Sequence, residues 1–219
     1  MIIDKIFQKE RKIGIIGNTG TAKSSLALSE LEELKKKYPD FPIYVFGVEE
    51  KLEESLKKKG INFIRNKEDI LDLKISGAVI YIDEMGILFS VQSKDKELER
   101  LKRFFDRIEH LNDFLIISTA QNGFWNKFMN GFVSNYLVKE IEFSALVNGT
   151  DIKRKIMGIE NTSDYRLDCE KNEFYVISEG LTEKRIFSYN KENDSKRDNI
   201  NPFLEKAGKK HEGLNEKIK

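Results

Sequence analysis

The sequence predicts an α/β fold, a mostly parallel central sheet sandwiched by helices and followed by a C-terminal β-hairpin. Three observations predict it. Short apolar runs alternate along the chain with amphipathic stretches at helical spacing. The runs "KIGIIG" and "GAVIYID" are almost continuously apolar, as parallel strands covered on both faces are. Finally, "EFYVISEG" and "EKRIFSYN" flank a turn containing Gly180 and read as a terminal hairpin.

Taken in order, "KIGIIG" (Lys12–Gly17) is a short buried strand that ends in glycine. "KSSLALSELEELKKKY" places Leu26, Leu31, Leu34 and Tyr38 at helical spacing, with acids early and lysines late, which suits the helix dipole. "FPIYVFGV" is a strand, and "EKLEESLKKKG" is a second helix closed by Gly60. "INFI" and "GAVIYID" are further strands. "DKELERLKRFFDRIEHL" turns Leu98, Leu101, Phe105 and Ile108 inward and sets Arg100, Arg103 and Arg107 opposite them. "DFLIISTA" and "YLVKEIEF" follow as strands before the hairpin. From Asn190 the text becomes polar and charged, which predicts a flexible tail at 190–219 behind a domain at 1–189.

A length of 219 residues favours one domain with appendages. With 39% hydrophobic and 34% charged residues, the chain can build one core under a charged surface. Lys plus Arg (38) nearly balances Asp plus Glu (37), so any nucleic-acid surface must be a local arrangement of basic residues. Cys169 is the only cysteine, and the histidines are His110 and His211, which excludes an internal disulfide and a Cys/His zinc cluster. No run approaches the roughly 20 apolar residues that span a bilayer, and no secretory h-region follows the first charges. The expectation is a soluble, cytoplasmic protein with no membrane segment.

The chemistry begins at "GNTGTAKS", Gly17 to Ser24. It fits the phosphate-loop pattern G-x-x-x-x-G-K-[ST], except that Ala22 stands where the last glycine is usual. A strand ends at Gly17 and a helix opens at Lys23, which is the context the pattern requires. Backbone N–H groups across Gly17, Asn18, Thr19, Gly20, Thr21, Ala22, Lys23, Ser24 and Ser25 would wrap the phosphates of ATP. Lys23 would reach the terminal phosphates, and the Ser24 hydroxyl would ligate Mg2+. Ala22 is expected to hold right-handed helical dihedrals and so to be tolerated; a positive φ would defeat it.

"GAVIYIDEMG" delivers Asp83 and Glu84 to the C-terminal edge of a strand, where open parallel sheets bind ligands. Asp83 can hold the Mg2+ shell, and Glu84 can polarise an attacking water. "DFLIISTAQN" brings Ser118, Thr119 and Gln121 to the same edge, where the Gln121 amide could sense the γ-phosphate or orient that water.

These residues resemble the FtsK–HerA superfamily of DNA-pumping ATPases. "GNTGTAKS" is similar to that superfamily's GxTGxGKS loop, "AVIYIDE" to its hydrophobic Walker B strand, and "LIISTAQN" to its strand ending in Ser/Thr-Gln. The order and spacing, over roughly residues 10–190, further resemble small viral genome-packaging ATPases. The zonula-occludens-toxin-like assembly ATPases of filamentous phages share the same three motifs. The departures are Ala22 and the Ala120 between Thr119 and Gln121.

The resemblance implies an ATPase in which Lys23 and Ser24 bind nucleotide and Mg2+, Asp83 supports the metal, Glu84 is the catalytic base and Gln121 the sensor. It implies a homo-oligomeric ring, hexamer or pentamer, that translocates double-stranded DNA, with capsid or portal-vertex proteins as further partners. A neighbouring subunit would supply an arginine finger, for which Arg107 is the candidate. "MGILFSVQSKDKE" is a candidate pore loop, with Lys94 and Lys96 able to touch DNA phosphates. Phe124 and Trp125 could mark a subunit contact, although core or rim packing explains them better. Two alternatives remain, a zonula-occludens-toxin-like virion assembly ATPase and a P-loop small-molecule kinase. The first commonly carries a membrane segment and the second an arginine-rich lid.

Overall fold

A computed structural model of the chain describes residues 12–84, 95–111, 113–119, 133, 135–139, 141–142, 166–167, 169–178 and 181–190. The strands are β1 (Lys12–Ile16), β2 (Ile43–Phe46), β3 (Asn62–Ile64), β4 (Val79–Ile82), β5 (Phe114–Thr119), β6 (Asn135–Val138), β7 (Ile141–Glu142), β8 (Arg166–Leu167), β9 (Glu173–Ser178) and β10 (Leu181–Ile186). The helices are α1 (Lys23–Lys37), α2 (Glu53–Lys58, preceded by a 3-10 turn), α3 (Lys67–Leu71) and α4 (Asp95–His110).

One 8-stranded sheet has the order β10-β9-β6-β1-β5-β4-β2-β3. From β6 to β3 every pairing is parallel, while β9 runs antiparallel to β6 and β10 antiparallel to β9. The predicted α/β fold and its terminal hairpin are both present. The hairpin is an integral edge of the main sheet.

Strand β4 shows how the sequence builds both faces. Side chains alternate along a strand, so Val79 and Tyr81 join α1 in one cluster with Ile13, Ile15, Leu26 and Leu31. Ile80 and Ile82 join α4 in the other, with Leu101, Phe104, Phe105 and Ile108. Each such aliphatic or aromatic side chain, once fully buried, contributes about 1.5–3 kcal/mol. At the lower end of β4, the buried Asp113 carboxylate accepts the Ala78 N–H at 2.8 Å and ties β5 to β4. Burial pushes the Asp113 carboxyl above its ordinary range, against the pull of that hydrogen bond.

Helix ends follow local chemistry. Tyr38 precedes Pro39 and leaves helical dihedrals at φ −129°, ψ 77°, as a residue before proline does. Its side chain is therefore 41% exposed and does not continue the leucine face that its spacing suggested. Gly60 closes α2 at φ +73°, where a Cβ would come within 2.9 Å of Lys35 Cε.

Other expectations change in detail. The first turn of α1 holds no acid, and its residues Lys23–Glu30 are all buried, so its first two turns are enclosed rather than amphipathic. Phe104 joins the inward side of α4. The helix α3 was not anticipated, because five residues are too few to establish a period. The run "YLVKEIEF" is not one strand. It divides at Lys139, whose N–H still bonds the Ile16 carbonyl at 2.8 Å, and β7 then pairs with β8 in a separate two-stranded sheet.

Candidate active site

Strand β1 ends at Ile16 in the middle of the sheet, and the loop 17–22 carries the chain to α1. Thr19 and Gly20 face solvent, whereas Thr21 to Ser25 are buried. The loop is tied from within. The Asn18 carbonyl accepts from the Thr21 hydroxyl at 2.8 Å and from the Lys23 ammonium at 2.9 Å. Gly20 has φ +78°, and a Cβ there would meet nothing within 4 Å.

The backbone at Ala22 overturns the expectation of right-handed dihedrals, since φ is 66° and ψ 35°. This is the left-handed region, which costs an L-residue roughly 1–2 kcal/mol. The last position of the pattern is thus a turn that glycine adopts without strain, and this chain holds alanine in it. Glu84 also has a positive φ, 49°. Strained backbone therefore flanks the site on both the loop and the strand side.

The adjacent strand supplies the acids. Ser24 Oγ donates to Asp83 Oδ2 at 2.9 Å. The Lys23 ammonium lies 3.8 Å from Glu84 Oε1, and these side chains are only 5% and 15% exposed. Lys23, Ser24, Asp83 and Glu84, predicted from two distant motifs, are thus brought together at the C-terminal edge of the sheet. Asp83 is held a second time, because Tyr81 Oη donates to Oδ1 at 2.8 Å. Tyr81 was read only as part of an apolar strand. The missed signal is its spacing of two from Asp83, which sets both side chains on the same face of β4.

This arrangement has a definite chemical character. The N-terminus of α1 presents backbone N–H groups and a positive dipole end, with a buried lysine beside it, and so favours a polyanion. Ser24 and Asp83 offer a hydroxyl and a carboxylate, hard oxygen donors that suit Mg2+ sharing its shell with phosphates and water. Among the described residues no cluster of three or more His, Cys, Asp or Glu forms a self-sufficient metal site. Glu84, beside Lys23, is a carboxylate within reach of whatever Lys23 holds.

Other candidates lie elsewhere. Ser25 is fully buried, and its hydroxyl donates to the Asn190 carbonyl at 3.0 Å. Arg107 donates to the Leu71 carbonyl at 2.5 Å and lies 5.7 Å from the Phe104 ring centroid, committed to its own chain. Arg100 and Arg103 are exposed, paired with Asp72 at 3.4 Å and Glu99 at 3.5 Å. Gln121, Phe124, Trp125, residues 85–94 of the candidate pore loop and the tail beyond Asn190 lie outside the described residues, whereas the last three residues of that loop, Lys96 among them, belong to the start of α4. No helix among the described residues is long and apolar enough to cross a membrane.

No protein-family model and no curated protein matches the chain. Solved structures do. The genome packaging NTPase B204 from Sulfolobus turreted icosahedral virus 2, in complex with ATP-gammaS, is 12% identical with a TM-score of 0.56, over 82% of this chain and 98% of that one. EssC (ATPases 2 and 3) from Geobacillus thermodenitrificans is 13% identical with a TM-score of 0.58, over 95% of this chain and 44% of that one. The cytoplasmic domain of the Type VII secretion ATPase EccC from Thermomonospora curvata is 15% identical with a TM-score of 0.55, over 84% of this chain and 24% of that one. The likeness is one of fold. This chain spans nearly all of B204 and less than half of EssC or EccC.

Proposed function

Starting from a chain with the fold of P-loop ATPases, we propose that it is an ATP-driven translocase of double-stranded DNA. In this reading it is a genome-packaging motor that hydrolyses ATP between the subunits of a homo-oligomeric ring. The observation that carries hydrolysis is the meeting of Lys23, Ser24, Asp83 and Glu84 at the end of α1. The DNA cargo is supported by the match in fold over almost the whole of B204, a packaging NTPase.

In the mechanism, the backbone of loop 17–22 and the N-terminus of α1 bind the phosphates, and Lys23 exchanges the Asn18 carbonyl for the terminal phosphate oxygens. Ser24 and Asp83 would hold Mg2+, which supplies charge neutralisation at the phosphates when bound. Glu84 accepts a proton from the attacking water. In the resting site Lys23 lies 3.8 Å from Glu84 Oε1, and it is drawn toward the polyanion as that binds. Gln121 is proposed as the sensor of the terminal phosphate.

A cation from the next subunit completes such sites. Arg107 would first have to give up Leu71 and Phe104, so Arg103 is the better trans-acting candidate. It is 76% exposed and paired across the surface of α4. Exposed ion pairs of this kind are worth about 0–1 kcal/mol and are readily exchanged.

A second reading, an ATPase that drives protein export or virion assembly, is favoured by the match in fold to the Type VII secretion ATPase EccC over 84% of this chain. The experiment that separates the two is steady-state ATP hydrolysis with and without double-stranded DNA. Stimulation by DNA, lost in an Arg103→Ala variant, supports the motor. Turnover indifferent to DNA removes the cargo and leaves the export reading.

A further inference from the structure

The sheet order gives any bound polyphosphate a direction. Lys23 and Ser24 turn toward Glu84 and Asp83, which follow β4. Strand β4 stands to one side of β1, across β5, whereas β6, β9 and β10 stand to the other. The very next residue, Ser25, bonds to the segment that leaves β10. A polyphosphate with its terminal phosphate at Lys23 and Glu84 must therefore send its other end away from β4, toward that segment.

The segment is built to be there. After β10, the Phe187 N–H bonds the Asn172 carbonyl at 2.8 Å. The Phe187 ring is buried, with Phe174 at 6.0 Å and Tyr189 at 6.3 Å between centroids. Lys139, fully buried at the end of β6, lies 5.0 Å from the same ring and donates to the carbonyls of Glu170, Lys171 and Glu173. From this base the chain runs along α1 toward its N-terminus. Ser29 Oγ donates to the Ser188 carbonyl at 3.1 Å, and Ser25 Oγ to the Asn190 carbonyl at 3.0 Å. Two residues of extended chain advance about 6.6 Å, close to the rise of about 6 Å between residues four apart on a helix. The segment thus lies flat on the helix and reaches its first turn at Asn190.

We infer that Ser188–Asn190 walls the nucleoside half of the site and that the Asn190 side chain contacts the ribose or base of the bound nucleotide. The inference rests on the phosphate-loop reading above. A carboxamide offers both a donor and an acceptor, which suits the hydroxyls of a ribose and the edge of a base. Ser25 and Ser29 hold the segment by its main-chain carbonyls.

The test is calorimetric titration of the full chain with ATP and, separately, with inorganic tripolyphosphate, for wild type, Asn190→Ala and Ser29→Ala. Asn190→Ala should weaken ATP binding by about two- to tenfold, the loss of one hydrogen bond, and leave tripolyphosphate binding unchanged. Ser29→Ala, which loosens the segment without touching the loop, should show the same selective loss. Equal weakening of both ligands, or of neither, would overturn the inference and leave the phosphate loop standing. Wild type that binds tripolyphosphate as tightly as ATP would do the same. Wild type that binds neither ligand would sink the phosphate-loop reading and this inference with it.

Discussion

Replacing Tyr81 by phenylalanine removes one hydroxyl and keeps the ring that packs under α1. In the native chain that hydroxyl donates to Asp83 Oδ1 at 2.8 Å, with Tyr81 fully buried and Asp83 only 1% exposed. A hydrogen bond to a charged group contributes about 1.5–3 kcal/mol. For a domain of 150–250 residues each kcal/mol moves Tm by about 2–4 °C, so Tyr81→Phe should lower it by about 3–12 °C. Asp83→Ala supplies the second background, in which the tyrosine hydroxyl has lost that acceptor. There, Tyr81→Phe should be neutral or stabilising, because it removes a buried polar group deprived of this bond. The assay is thermal unfolding of the four proteins in a double-mutant cycle, with a coupling of about 1.5–3 kcal/mol expected. An equal cost of Tyr81→Phe in both backgrounds would refute the reasoning, since the hydroxyl would then act through some group other than Asp83.

Three further outcomes follow from the same geometry. At Ala22, glycine relieves roughly 1–2 kcal/mol of left-handed strain, offset by about 0.4–1 kcal/mol of unfolded-chain freedom and about 0.8 kcal/mol for the buried methyl. Ala22→Gly should therefore keep stability within about 1 kcal/mol and equal or raise turnover, whereas Ala22→Val should cost about 1–3 kcal/mol by overpacking; a fully active valine variant in chemical denaturation and phosphate-release assays would contradict the backbone assignment. Lys139→Met keeps the aliphatic stem but strips three carbonyls of their shared donor, and should destabilise by at least about 1.5–3 kcal/mol, read as a lower denaturation midpoint. Asp113→Asn retains an acceptor for the Ala78 N–H but cannot ionise. Because burial raises the Asp113 pKa in the folded state, its contribution is full below the unfolded value near 3.8 and lost as pH rises through the folded one. The variant should lack that loss in denaturation series across the acid range; identical pH curves would refute it.

Much of the fold is legible in the sequence because period and chemistry agree. The alternation of β4 and the leucines of α1 give two faces and a core. The spacing of Lys23 and Ser24 fixes the start of the helix beside the acids. What escaped is what period cannot express. Ala22 is one methyl away from the usual residue, and only its dihedrals reveal the strain. Tyr81 reads as core until its hydroxyl is seen on Asp83. Lys139 reads as the polar member of a strand, yet it is fully buried because Glu170, Lys171 and Glu173, 31, 32 and 34 residues later in the chain, supply its acceptors. Ser25 and Ser29 look like ordinary helix residues, and their partners lie at the far end of the domain. Arg107 shares a helical face with Arg100 and Arg103 in sequence, but only α3 reveals that its guanidinium is committed inward.

The central claim is that Lys23 holds the nucleotide and Glu84 activates the water. The most direct test measures phosphate release and ATP binding side by side for wild type, Lys23→Ala and Glu84→Gln. Glu84→Gln should bind ATP as wild type does and release no phosphate, and Lys23→Ala should lose binding along with turnover. Undiminished phosphate release by Glu84→Gln would contradict the account.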